Sequence, residues 1–153
     1  MVSIDTVMIA IHLVIGAIWI GSVAFVTLSV LPLARDGSLE RTALDSILAK
    51  VQSISRIGAL LMLVTGSHLM GTTGYFDMDT LLGTNRGLAV LAMVLLWLAL
   101  IVIIEVATRR IRSGIDANLI REPARDGLTW FYIATAIGIL LFVDGALLTT
   151  GAV

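Results

Sequence analysis

The 153-residue chain contains no cysteine. That excludes disulfides, thiolate-ligated zinc, iron–sulfur clusters and covalently attached c-type haem, and thiols say nothing about the redox compartment. Charge is also scarce. Asp, Glu, Lys and Arg make up 14% of the residues, where a soluble domain carries about 25%. Net charge is −1, so no overall field favours nucleic acid or another polyanion as a partner. Histidine occurs twice, so a site built on imidazole has one pair to draw on. The apolar runs contain no lysine and no nucleophile set beside a base, which argues against hydrolytic chemistry.

What the chain has in abundance is apolar surface: 58% of residues are hydrophobic and the mean hydropathy is +1.03. A polytopic membrane domain covering residues 1–153, with lipid as the solvent for most side chains, is the expected class. Its organising stretch is Met8 to Leu31, 24 residues without a formal charge and with one strongly polar group, His12. About 20 apolar residues cross a hydrocarbon core of about 30 Å. No basic segment precedes this run and no A-x-A site interrupts it, so it reads as a span rather than a signal peptide.

Hydropathy places four spans at about 8–31, 54–70, 87–107 and 128–148, after a short polar lead-in over Met1–Val7. The expected fold is all-α, an antiparallel four-helix membrane bundle. Pro32, which lacks an N–H, is expected to end the first helix. Between the first two spans, Leu39, Ala43, Leu44, Ile47, Leu48 and Val51 recur at helical spacing behind a candidate N-cap, Ser38. They predict an amphipathic helix at the interface or extending span 2 beyond the bilayer. Residues 71–86 read as a turn-rich loop with interfacial Tyr75 and Phe76, and Trp130 and Tyr132 as an aromatic belt opening span 4. Arg35, Arg41, Lys50, Arg56, Arg109, Arg110, Arg112, Arg121 and Arg125 lie on one side, against Arg86 alone on the other. That bias predicts cytoplasmic loops at 32–53 and 108–127, with both termini outside the cell membrane.

Polar groups inside spans point to function by default, and there are four: His12, His68, Glu105 and Asp144. Glu105 has a structural explanation, an ion pair with Arg109 at i+4 and with Arg56 at similar depth. The up–down hairpin brings His12 and His68 to one depth. His12, Gly16, Trp19 and Val23 share a helix face, as do Gly58, Leu61, Thr65 and His68, with Gly66 close by. Three readings follow. One is a b-type haem ligated by both histidines, with Gly16 and Gly66 leaving room and Trp19 and Phe142 packing on the porphyrin. Another is copper, with His12, His68, Met8 and Met70 as a soft nitrogen and thioether set. Met8 shares a face with His12, whereas Met70, at i+2 from His68, points elsewhere. In the third, both histidines are packing residues bonded to neighbouring helices in a structural subunit without cofactor. Asp144 is a candidate second-sphere acceptor for an imidazole N–H, or a partner for Arg86 or loop amides.

The run HLVIGAIWIGSVAFVTLSVLPL, His12 to Leu33, resembles the first helix of the CopD-like (copper resistance D domain) membrane family. Thr65–Gly66 before His68, together with LARDG and REPARDG, is similar to the small haloarchaeal members. The resemblance implies a four-helix membrane bundle linked to copper import or handling. The first helix is also similar to that of the HemJ-type protoporphyrinogen oxidases, with a histidine at His12 and a tryptophan seven residues on, which implies haem b binding. Those enzymes carry a lysine in the third helix and span 3 here has none, which argues against porphyrinogen oxidation. The leading expectation is a haem b protein passing single electrons to or from quinone or an external carrier, with CopD-like copper binding or transport as the alternative. Four spans without an inverted repeat are few for alternating access. A transporter of this size is expected to form a homo-oligomer or join a larger complex.

Overall fold

The computed structural model describes residues 3–117 and 119–152, which leaves the first two residues of the lead-in outside. The described chain is helical from end to end: α1 (Ile4–Phe25), a π-helical turn (Val26–Val30), α2 (Leu31–Asp36), α3 (Arg41–Thr73), α4 (Met78–Gly83), α5 (Asn85–Asp116) and α6 (Arg121–Thr150). Four helices, Ile4–Asp36, Arg41–Thr73, Asn85–Asp116 and Arg121–Thr150, are long and apolar enough to cross a membrane. The protein is a multi-pass, all-α membrane protein. Large apolar side chains such as Leu13, Val14, Leu60, Leu95 and Ile139 lie exposed along the bundle, as lipid contact requires.

Each helix outlasts its apolar run. The first starts four residues before Met8, with the Ser3 hydroxyl accepting from the Thr6 amide. It also continues past Pro32, contrary to the sequence expectation. A proline inside an α-helix clashes with the carbonyl four residues back. Here the π turn widens the helix just before the ring arrives, so that the Leu31 N–H bonds to the Val26 carbonyl five residues back. The stop comes at Gly37, whose φ of 79° is a left-handed cap and costs glycine little. Ser38 is therefore not an N-cap; its amide closes this C-cap on the Leu33 carbonyl. The amphipathic segment is the first part of α3, which carries span 2 beyond the bilayer as one 33-residue helix about 50 Å long. Most of the expected 108–127 loop is likewise helix, because charged residues sustain a helix once it leaves lipid. Within 71–86, Asp77 caps the short α4. The Thr80 amide and hydroxyl donate to its carboxylate and hold it below the usual carboxylate range.

In the bundle α1 packs on α3, α3 on α5 and α5 on α6, and α6 closes the ring against α1 and α2. The core lies toward the basic ends: Trp19, Val23, Leu31, Leu48, Leu100, Ile104, Ile111 and Phe131 are among its buried members. Toward the histidine end packing loosens. No residue of α1 before Gly16, of α5 between Gly87 and Leu100, or of α6 after Gly138 is buried. Where α1 and α6 touch, Gly138 leaves no room for a side chain, since an added Cβ would sit 2.6 Å from Ile20 Cγ2. Gly138→Leu is expected to destabilise the bundle by about 1–3 kcal/mol. Gly21→Leu, at a position with nothing within 4 Å, should leave it unchanged. Thermal unfolding in one detergent compares the two, and equal melting temperatures would contradict this contact.

Candidate functional site

Along α1 three hydrogen-bonding residues recur at intervals of seven: Asp5, His12 and Trp19. Seven residues are within about 20° of two full turns, so all three lie on one stripe, and each is bonded to α3. Trp19 Nε1 donates to Ser55 Oγ at 3.0 Å. His12 Nδ1 lies 2.6 Å from Thr65 Oγ1, and His68 Nε2 lies 3.0 Å from Asp5 Oδ1. Away from water, such side-chain bonds fix which faces of two helices meet.

The Thr65 hydroxyl links His12 to the backbone of α3. It donates its one proton to the Leu61 carbonyl at 2.9 Å. With its proton on that carbonyl it accepts from the Nδ1–H of His12, and the tautomer of the ring sets which of the two donates at this contact. In the Nδ1–H tautomer the lone pair of Nε2 is bare, and Nε2 meets no hydrogen-bond partner among the described residues. Small residues flank the ring: an added Cβ on Gly66 would lie 3.5 Å from His12 Cε1.

Helical spacing brings sulfur to within about one turn of this level. A Cβ on Gly16 would touch Met62, at 3.6 Å from Cε, and His12 faces Gly66. Met8 follows His12 at i−4 on α1 and Met70 follows Gly66 at i+4 on α3, so helical spacing puts each thioether about one turn beyond the level where His12 faces Gly66. The Asp5–His68 contact keeps the helices paired to that depth. By its i+2 spacing Met70 lies on a different face of α3 from His68.

Several expected site residues are placed differently. His12 and His68 each hold a separate partner rather than sharing one. Asp5, not Asp144, is the carboxylate that meets an imidazole. Trp19 is 1% exposed and is turned against Gly58 in the α1–α3 interface, and Phe142 is exposed on α6. Asp144 Oδ2 is buried without a partner among the described residues, as is Trp97 Nε1. Arg86 donates instead to the Leu148 carbonyl at 2.6 Å.

At the basic end a second polar seam joins α3 to α5. Glu105 Oε1 accepts from Arg56 Nη2 at 2.7 Å and from Arg109 Nε at 2.9 Å. Arg112 adds a bond to Asp45 at 2.8 Å. This cluster is fully engaged in pairing and serves as a staple between the two helices.

Among the described residues no three His, Asp or Glu side chains gather around a common point. No protein-family model, curated protein or solved structure matches the chain.

Proposed function

We propose that this membrane protein binds copper as Cu(I), with His12 Nε2 as the nitrogen ligand and Met8 and Met70 as thioether ligands, and takes part in copper handling at the membrane. The observation that carries this reading is the contact at His12 Nδ1: Thr65 Oγ1 holds that nitrogen at 2.6 Å and has the Leu61 carbonyl to donate to at 2.9 Å, and Nε2 has no hydrogen-bond partner among the described residues. A metal-ligating imidazole needs this second-sphere arrangement, one nitrogen held by an acceptor and the other free. Imidazole and thioethers together suit Cu(I). All three ligands are neutral, so the loaded site carries a single positive charge, and a monovalent ion is the least costly metal to hold where water is sparse. The loose packing of the histidine end gives an ion a way in that leaves the core closed. The likeness of His12–Leu33 to CopD-like first helices supports the same reading. By the distribution of Arg and Lys, this end faces outside.

The second reading, haem b, rests on the same bare nitrogen. It requires His68 to leave Asp5 and a macrocycle to part the contact between His12 and Gly66, so the residues as placed fit it less well than copper.

The test is anaerobic loading of the detergent-purified chain with Cu(I), desalting, and metal and absorption analysis. About one copper per chain and no Soret band are expected. Met8→Leu with Met70→Leu should weaken retention about tenfold or more while helicity is unchanged. Full retention in that double variant, or a haem spectrum that both His12→Ala and His68→Ala abolish, would overturn the proposal.

A further inference from the structure

Where α5 and α6 leave the apolar zone at the basic end, they flank an open-sided cavity of about 360 Å³. Its charged lining is one cation and two carboxylates, Arg110 from α5 and Glu122 and Asp126 from α6, with Ser113 and Trp130 beside them. The helices can meet at its floor because Gly114 faces Pro123 and Gly127 faces Ile111, places where a Cβ would collide. Arg110 stacks on Trp130, its guanidinium carbon 5.4 Å from the ring centroid, which orients the flat face and leaves N–H groups at the edge. Neither Arg110 nor Glu122 has an ion-pair partner among the described residues, and Asp126 has only Arg125 at 3.9 Å, both side chains being well exposed. Opposite charges thus line one cavity without neutralising each other.

We infer that this cavity binds the headgroup of a zwitterionic aminophospholipid, its phosphate on Arg110 and its ammonium among Glu122, Asp126 and Ser113. The Ser113 hydroxyl spends its proton on the Arg110 carbonyl and so presents lone pairs to the cavity. A primary ammonium has three N–H donors, and the cavity offers three acceptors. A phosphate needs donors, and Arg110 supplies them in a fork. An anionic glycerol headgroup would set its phosphate against two carboxylates with no cation in return. A choline headgroup has the charge but no N–H, and Trp130, its natural partner, is already covered by Arg110.

Position identifies the source as lipid. Arg110 lies three residues beyond Ala107 at the end of the apolar run of α5, and Trp130 two residues inside that of α6. That is the headgroup zone, which adds about 5–7 Å on each side of the hydrocarbon core. From the cavity toward the bilayer centre, Val102, Val106, Tyr132 and Ile133 are exposed and offer acyl chains a surface.

The test is native mass spectrometry of the full chain in detergent, titrated with short-chain phosphatidylethanolamine, phosphatidylcholine and phosphatidylglycerol. Retention is expected in that order, with ethanolamine preferred over glycerol by about fivefold, the scale of one exposed ion pair. Glu122→Gln with Asp126→Asn should erase the preference, and Arg110→Gln should weaken all three. Water-soluble glycerophosphoethanolamine should not compete. Equal or tighter binding of phosphatidylglycerol, a preference untouched by the double variant, or competition by the soluble headgroup at lipid-like concentrations would overturn the inference. Circular dichroism on each variant confirms that the helices remain.

Discussion

His12→Ala is expected to abolish Cu(I) retention, while His68→Ala leaves it in place. The two histidines look alike in the sequence, each a lone imidazole near the same end of a span, but their surroundings differ. His12 is held through Nδ1 by a hydroxyl that has the Leu61 carbonyl to donate to, and its Nε2 has no hydrogen-bond partner among the described residues. His68 turns its Nε2 onto the Asp5 carboxylate, and both side chains are partly exposed, at 33% and 52%. Thr65→Val removes the acceptor that orients His12 without removing a ligand, and an outer-sphere loss of that kind lowers metal affinity about 10–100-fold. The graded series of no binding, weakened binding and unchanged binding for His12→Ala, Thr65→Val and His68→Ala is the signature to measure by competition with a colorimetric Cu(I) chelator. Equal losses in the two histidine variants would mean that they share one ligand and would return the haem reading to first place.

Asp144→Leu is expected to make the protein more stable. The buried Oδ2 of Asp144 has no hydrogen-bond partner among the described residues, and Arg86, the nearest candidate by sequence, spends its guanidinium on the Leu148 carbonyl. An unmatched buried polar group costs roughly 1–3 kcal/mol, and an aspartate inside a span costs about as much again relative to leucine. Removing it should therefore raise the melting temperature in a fixed detergent. Trp97→Phe, which deletes an equally unpartnered indole N–H, should be neutral or mildly stabilising. A lower melting temperature for Asp144→Leu would show that the carboxylate engages something the protein depends on.

The four spans are legible because lipid imposes a length: about 20 apolar residues cannot be hidden in a chain this short of charge. Helix ends are a different matter. Pro32 looks like a stop, and the π turn at Val26–Val30 removes that meaning by a local change in hydrogen bonding that no residue type announces. The basic segment 108–127 looks like a loop because charge leaves the membrane there, yet leaving the membrane and leaving the helix are separate events. At the site, depth was readable and direction was not. Spacing from either end of the hairpin sets His12 and His68 at similar depth, but which face of α3 meets α1 is decided by packing. Asp5 was the missed residue, and its signal was present in the seven-residue interval that links it to His12 and Trp19. Met70, at i+2 from His68, falls on another face of α3, whereas its i+4 spacing from Gly66 puts it on the side that meets α1. The Glu105 contacts with Arg56 and Arg109 need only matched depth and i+4 spacing, which is why sequence alone could suggest them.

The most direct measurement is X-ray absorption at the copper K-edge on the chain loaded with Cu(I) under anaerobic conditions. The proposed site predicts a mixed first shell, nitrogen from His12 together with sulfur from Met8 and Met70, and loss of the sulfur contribution in the Met8→Leu, Met70→Leu double variant. A first shell of nitrogen alone, unchanged in that variant, would contradict the site and point back to a shared pair of imidazoles.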